Sequence, residues 1–354
     1  MNSIAYAVIQ KHKKAKRKHY IYANYCVETM TDHLSALSNL FVSPEATKGK
    51  YNFADIPLAS SFKESDVVIY GVPFEMTTSF GQGTKRGPEA IRLTSAKQTE
   101  TFLFEEGFDI SERAKIFDIG DLKLRASNKR VSAKNLSSIT HDLNNMGSKI
   151  DKITSSIYES NKVPVMMGGE HTLSYYSIKA LSISHPILLH FDAHRDMKPE
   201  YQGLKMCHTT PFYHLIDDGY VPGKNMIQIG IRQADKEENE ISKQNQVVTY
   251  DAWRIHESID DLLVFLRKVT KNASIYISFD IDVYDIPYVP CTGTPEPFGL
   301  DPFEVRLILK SICSSAKIIG FDMVEVGLKN NDYREATLAS QTMLRVLSLL
   351  HARI

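Results

Sequence analysis

The residues with the most chemistry to offer sit in three short clusters: HFDAHRD from His190, SFDIDVYD from Ser278 and GGEHTLS from Gly168. In the first, Asp192, His194 and Asp196 are spaced at i, i+2 and i+4, directly after an apolar run. If strand geometry continues through them, all three side chains share one face. Two carboxylates and an imidazole on one face form a ligand set for a divalent ion such as Mn²⁺ or Zn²⁺. A single Asp at a strand end is more often a cap for the next helix, but three ligands within five residues favour a metal. In the second cluster Asp280 and Asp282 lie at i and i+2, with Asp285 shortly after. Carboxylates held side by side repel each other, and a cation lets both stay ionised. In the third, Gly168 and Gly169 end a strand and His171 opens a helix. Alone, His171 would be a capping or packing residue; beside the other clusters it supplies a sixth ligand. Two His and four Asp exceed what one ion needs, whereas two ions about 3.5–4 Å apart share bridging carboxylates and use this many. Ligation rich in oxygen and without a thiolate favours Mn²⁺ over Zn²⁺. A water shared by two such ions loses a proton near neutral pH and becomes a nucleophile.

These clusters need elements to carry them. From Asp66 onward, short apolar runs alternate with longer amphipathic ones. The runs DVVIYG, AKIFDIG, VPVMMGG, PILLHFD, NMIQIG, QVVTY, SIYISFD and AKIIGFD read as buried strands, apolar on successive positions as parallel strands covered on both faces are. Helical patterns lie between them, over residues 133–160, 260–270, 302–314 and 336–350 among others. The alternation predicts a mostly parallel sheet with helices on both sides. Four strands end in polar clusters: GGEH, FDAHRD, FDID and FDMVE. Open α/β sheets place ligands outside the carboxyl ends of their strands, so these four are expected to converge.

At 354 residues the chain is long enough for one large domain, here residues 51–354, after an N-terminal extension of residues 1–50. Lys+Arg and Asp+Glu each total 42, a balance that gives no support for nucleic acid or an anionic membrane as partner. No apolar run approaches the roughly 18 residues that cross a bilayer. Cys26, Cys207, Cys291 and Cys313 include no C-x-x-C pair, which points to a reducing, cytoplasmic setting. The basic run KHKKAKRKH at residues 11–19 follows a short apolar stretch. A secretory signal has the reverse order. The run is read as a solvated extension and not as a nucleic-acid or anionic-surface arm, since nothing basic and aromatic follows it in a repeating pattern.

The three clusters resemble, in order and spacing, the metal motifs of the ureohydrolases, the family of arginase and agmatinase. GVPFEMTTSFGQGTKRGPEAIR (residues 71–92), QIGIRQADKEE (228–238), TGTPEPFGL (292–300) and GFDMVEVG (320–327) look like segments of the agmatinase-like branch, and the resemblance covers roughly residues 66–350. It implies a three-layer α/β/α fold around a mostly parallel eight-stranded sheet, the arginase-like fold. It also implies two Mn²⁺ per chain and a homo-oligomer, trimer or hexamer. One ion would take His171, Asp192, Asp196 and Asp280. The other would take Asp192, His194, Asp280 and Asp282, with Asp192 and Asp280 bridging. Among the catalytic residues implied, Asp196 would accept a hydrogen bond from the nucleophile and His208 would pass protons to the departing amine. Glu325 would pair with the substrate guanidinium, and Glu170 would orient the site from behind.

The loop DAHRDMKPEYQGLKMCHTTP resembles the agmatinase-like form, so the expected reaction is cleavage of a small guanidino substrate, agmatine, to putrescine and urea. Departures from the family pattern touch the rim: Cys207–His208–Thr209, Ile286 and Gly327–Leu328 stand where Ser-His-Ala, Pro and Asn-Pro are frequent. They leave arginine, guanidinobutyrate, aminopropylagmatine and formiminoglutamate as alternative substrates. Two readings of other kinds compete. A single-zinc deacetylase needs one Asp-x-His set and usually a His-His pair, which is absent. A non-catalytic polyamine-binding paralogue would be expected to have lost a ligand or the proton shuttle.

Overall fold

The computed structural model describes residues 38–42, 51–55, 62–124, 131–132 and 134–350. The basic run, Cys26 and most of the 1–50 extension lie outside the described residues. In chain order the strands are β1 (Phe41–Val42), β2 (Val67–Gly71), β3 (Phe102–Leu103), β4 (Phe108–Asp109), β5 (Ile116–Leu122), β6 (Val163–Met167), β7 (Ile187–Phe191), β8 (Met226–Ile229), β9 (Val248–Tyr250), β10 (Ser274–Asp280) and β11 (Lys317–Val324). The helices are α1 (Gly87–Lys97), α2 (Ile110–Arg113), α3 (Leu136–Glu159), α4 (Thr172–Leu181), α5 (Pro211–Asp217), α6 (Lys236–Gln244), α7 (Ala252–Glu257), α8 (Ile259–Val269), α9 (Pro302–Ser311) and α10 (Arg334–Leu349).

All eight apolar runs form parallel strands of one sheet, in the order β1-β5-β2-β6-β11-β10-β7-β8-β9. The order also contains a correction to the eight-stranded expectation. A ninth strand, β1, pairs antiparallel with Leu122 and Asp121 at the edge. Two residues are too few to show a strand period, and these two fall inside the segment read as an extension.

One face of the sheet presents Val67, Ile69, Val165, Leu189, Phe191, Ile277 and Phe279 to α1, α8, α9 and α10. The other presents Val68, Tyr70, Met166, Leu188 and Tyr276 to α3, α4 and α5. The long helix α3 is held by a stripe of Ile139, Leu143, Met146, Ile150, Ile153 and Ile157, spaced three or four apart. Three layers result, as expected.

The first of the two faces also buries an ion triad. Arg92 of α1 donates from Nε and Nη2 to the two carboxylate oxygens of Asp118 on β5, at 2.8 and 2.9 Å, and from Nη1 to Asp121. Asp118 is further held by the amides of Phe53 and Gly120, both at 3.0 Å. Removing the cation strands a buried carboxylate, which typically costs about 3–5 kcal/mol. Arg92→Ala is therefore expected to lose that much stability in urea unfolding; a loss below about 1 kcal/mol would show that the triad is not buried as described.

Candidate metal centre

The four polar clusters follow β6, β11, β10 and β7, which are consecutive neighbours in the sheet. Backbone bonds hold their loops together beyond the last ladder pairs: Gly168 N–H donates to Met323 O at 2.7 Å and Glu325 N–H to Gly169 O at 2.8 Å. Gly169 is required by close approach, since a Cβ there would lie 1.8 Å from the Phe74 carbonyl oxygen.

Three carboxylates surround one imidazole nitrogen. His171 Nδ1 lies 3.0 Å from Asp192 Oδ2, 3.1 Å from Asp196 Oδ2 and 3.2 Å from Asp280 Oδ2. On the other side of Asp192, His194 Nδ1 lies 3.4 Å from Asp192 Oδ1 and 3.0 Å from Asp282 Oδ2. Asp192 thus turns one oxygen to each set. All six residues named from the sequence come together. His171, Asp192, Asp196, Asp280 and Asp282 are buried and His194 is intermediate.

The route to this convergence differs from continued strand geometry. β7 stops at Phe191, and Asp196 returns to the group through a left-handed backbone at φ 51°. Such a conformation typically costs a non-glycine residue about 1–3 kcal/mol, and such strain tends to cluster at functional sites. After β10, Asp280 and Asp282 sit on a tight turn in which Asp280 Oδ1 accepts the Asp282 N–H at 2.8 Å. Asp285, grouped with them in the sequence, instead accepts the Gly299 N–H at 2.9 Å and pins the neighbouring loop.

The donor set fits a cation. His171 Nδ1 is buried with no hydrogen-bond partner. Its other nitrogen, Nε2, is 3.2 Å from Ser278 Oγ, which donates at 2.8 Å to Asp322. That chain assigns the proton to Nε2 and leaves a bare Nδ1 facing three carboxylates. Burial and the charges of Asp282 and Asp192 push the Asp280 carboxyl well up. Burial and Asp192 push Asp196 up to about 7. A divalent ion removes this conflict at its source.

Glu325, Glu170 and His208, read as acting on substrate or supporting the site, are joined to this group by hydrogen bonds. Glu325 is buried, not water-facing. Its backbone has φ 59°, and Oε1 accepts the His171 N–H at 2.8 Å. Burial, then the Glu170 charge, pushes its carboxyl well up. Glu170 accepts from the amides of Met76 and Thr77 at 2.7 and 2.8 Å and from the hydroxyls of Thr77 and Thr172 at 2.6 and 2.8 Å. Thr77 Oγ1 in turn receives the His208 N–H at 3.1 Å, and His208 Nε2 lies 3.3 Å from Ser79 Oγ. Glu170 therefore ties the His171 loop to the loop that carries His208. Burial, with His194 and His171 nearby, brings His208 down to about 4, so the ring is neutral at ordinary pH.

The family model for the arginase family matches residues 65–348. This chain belongs to the arginase family. An agmatinase of Proteus mirabilis is 32% identical over 298 residues, 82% of this chain and 88% of that protein. An N(1)-aminopropylagmatine ureohydrolase of Thermus thermophilus is 31% identical over 280 residues, 78% of this chain and 88% of that protein. The crystal structure of the agmatine ureohydrolase of Thermoplasma volcanium aligns at a TM-score of 0.73 and 26% identity, over 85% of this chain and 96% of that one. As a member of the arginase family the chain is a hydrolase of amidine C–N bonds, in a family that depends on two metal ions.

Sequence reasoning missed several residues around this arginase-family centre. Ser278 and Asp322 orient His171, Thr77 positions His208, and His190 lies 2.8 Å from Asp192. His190 and Ser278 carried a signal: the two-residue period of Asp192, His194 and Asp196, run backwards, reaches His190, and that of Asp280 and Asp282 reaches Ser278.

The metal-free centre predicts an unusual pH dependence. His171 is held well above its ordinary value, because its three carboxylate neighbours outweigh burial, and Asp280 and Asp196 are raised as described. Groups raised in the native state bind protons that the unfolded chain has released, so their stabilisation is lost as pH rises. His190 and His208, brought down to about 4 mainly by burial, act in the opposite sense only below about pH 6.5. Between about pH 7 and 8.5, metal-stripped protein is expected to lose Tm as pH rises, by up to about 1.4 kcal/mol per pH unit for each excess proton. Mn²⁺ should flatten the curve. A Tm that is level or rising without metal would refute the charge distribution.

Proposed function

We propose that this chain hydrolyses agmatine to putrescine and urea, using two Mn²⁺ ions. His171, Asp192, Asp196 and Asp280 would hold one ion. Asp192, His194, Asp280 and Asp282 would hold the other. The observation that carries this is the convergence of two His and four Asp at the ends of three strands, β6, β10 and β7, with Asp192 presenting a separate oxygen to each set. Bound there, the ions supply charge neutralisation and an ionised water as nucleophile. The chain's own residues do the rest. Asp196 accepts a hydrogen bond from the nucleophile and holds its proton. Glu325 keeps Oε1 on the His171 amide and offers Oε2 as counter-charge to the guanidinium. His208, neutral and steadied by Thr77 and Ser79, carries a proton to the departing amine.

Agmatine is favoured by the loop at residues 192–211 and by relatives named agmatinase at 30–32% identity. The ureohydrolase of Thermus thermophilus, nearly as similar, makes aminopropylagmatine the second candidate. Turnover of agmatine well above aminopropylagmatine and arginine, in a parallel urea assay, is the expected result. Preference for either of the others would keep the site and overturn the substrate.

A homo-oligomer, trimer or hexamer, belongs to the same reading. It is supported by exposed Trp253, Val264, Phe298, Phe303 and Leu307 on and beside α7, α8 and α9. Trp253 and Phe298 are in ring contact, with centroids 5.1 Å apart. Cys207, Cys291 and Cys313 are free, which supports a reducing, cytoplasmic setting. No helix among the described residues is long and apolar enough to cross a membrane.

A further inference from the structure

His190 is fully buried on β7, two residues before Asp192, with Nε2 2.8 Å from Asp192 Oδ2. With His171 and Asp192 it forms a group close enough to hold an ion. By distance alone it is a third imidazole ligand. The hydrogen bonds behind it say otherwise.

Arg195 can only donate, and its Nη1 donates to Gln228 Oε1 at 2.6 Å. The carbonyl end of the Gln228 amide is thereby fixed toward Arg195. The amide nitrogen donates to the Arg195 carbonyl at 2.9 Å and lies 3.2 Å from His190 Nδ1. Gln228 stands on β8 directly across from His190, so this contact is set by the ladder register. An NH₂ group has no acceptor to offer, so Nδ1 is the acceptor and the ring proton is on Nε2. That N–H points at Asp192 Oδ2, and a protonated nitrogen does not coordinate a metal. The ring is also stacked on Phe212, at 3.6 Å between centroids.

We infer that His190 is a positioning residue: the chain Arg195–Gln228–His190 locks it as a donor that fixes the rotamer of Asp192, so that this carboxylate presents one oxygen to each metal. The inference rests on the two-metal reading above, and the experiment separates the two. Mn²⁺ binding is measured by equilibrium dialysis on wild type, His190→Phe and His190→Gln, with electron paramagnetic resonance of the loaded proteins. His190→Phe keeps a ring on Phe212 and removes the donor. It is expected to weaken Mn²⁺ binding by about 10–100-fold, to change the spin-coupled signal of the pair, and still to bind two ions at saturation. His190→Gln returns an amide N–H to the Nε2 position and should recover most of the affinity and the signal. Wild-type affinity and signal in His190→Phe would overturn the inference. So would loss of one ion that saturation cannot restore in both variants, because that marks a ligand. If His190→Phe does not fold, Gln228→Leu removes the lock from the next strand and should weaken binding several-fold; unchanged binding there would also overturn it. Wild type that binds no pair would instead sink the two-metal reading itself.

Discussion

Asp280→Asn is expected to lower turnover by about 10³-fold or more while making the metal-free protein more stable. The opposite signs follow from one residue. Asp280 lies 3.2 Å from His171 Nδ1 and accepts the Asp282 backbone amide at 2.8 Å, and in the proposed reading it belongs to both ligand sets. An amide in its place keeps the acceptor for Asp282 but removes a charge that two divalent ions would share, and with it much of the activation of the water between them. Without metal, that charge is a liability. Burial and the neighbouring Asp282 and Asp192 push the Asp280 carboxyl well up. A carboxyl held up by its surroundings must take up a proton on folding at pH 8, and a neutral isostere removes that cost of about 1.4 kcal/mol per pH unit between its unfolded and folded titrations. Steady-state rates at saturating Mn²⁺ and melting curves in chelator at pH 8 check both halves. Turnover near wild type, or a lower melting temperature without metal, would contradict this account of Asp280.

Glu325→Gln should leave the metal count at two and still cost about 10³-fold in kcat/KM. In the proposed reading the side chain has two jobs, one for each oxygen. Oε1 receives the His171 N–H, and a glutamine carbonyl can keep that bond. Oε2 faces Gly293, where an added Cβ would lie 3.7 Å from it. In the variant an NH₂ group takes the place of Oε2 and meets a guanidinium donor to donor. Losing one partner of a buried charge pair costs about 2–5 kcal/mol, and about 4 kcal/mol is roughly 10³-fold. Metal analysis beside kinetics separates this from damage to the centre. A variant that binds two ions and retains full kcat/KM would remove Glu325 from substrate recognition.

What could be read in advance was what is local. Each buried parallel strand is a short apolar run, so all eight were visible, and ligands two residues apart on a chain are visible as a motif. β1 was not, because Phe41–Val42 carries no period and is defined only by its partner on β5. The turns at Asp196 and Glu325 were not visible either. Their left-handed backbones are imposed by bonds from elsewhere, such as Glu325 N–H to Gly169 O. Asp285 looked like a member of its cluster until the Gly299 amide claimed it. The proton position on His190 depends on Gln228 of the adjacent strand and Arg195 beyond it, which no spacing within one segment records.

The most direct test is a Mn²⁺ titration of metal-stripped protein, with bound metal and urea release from agmatine followed in the same samples. Two ions bound per chain, with urea release rising as the pair fills, is the result predicted here. A single ion at saturation, or urea release that does not depend on added metal, would contradict the two-metal centre.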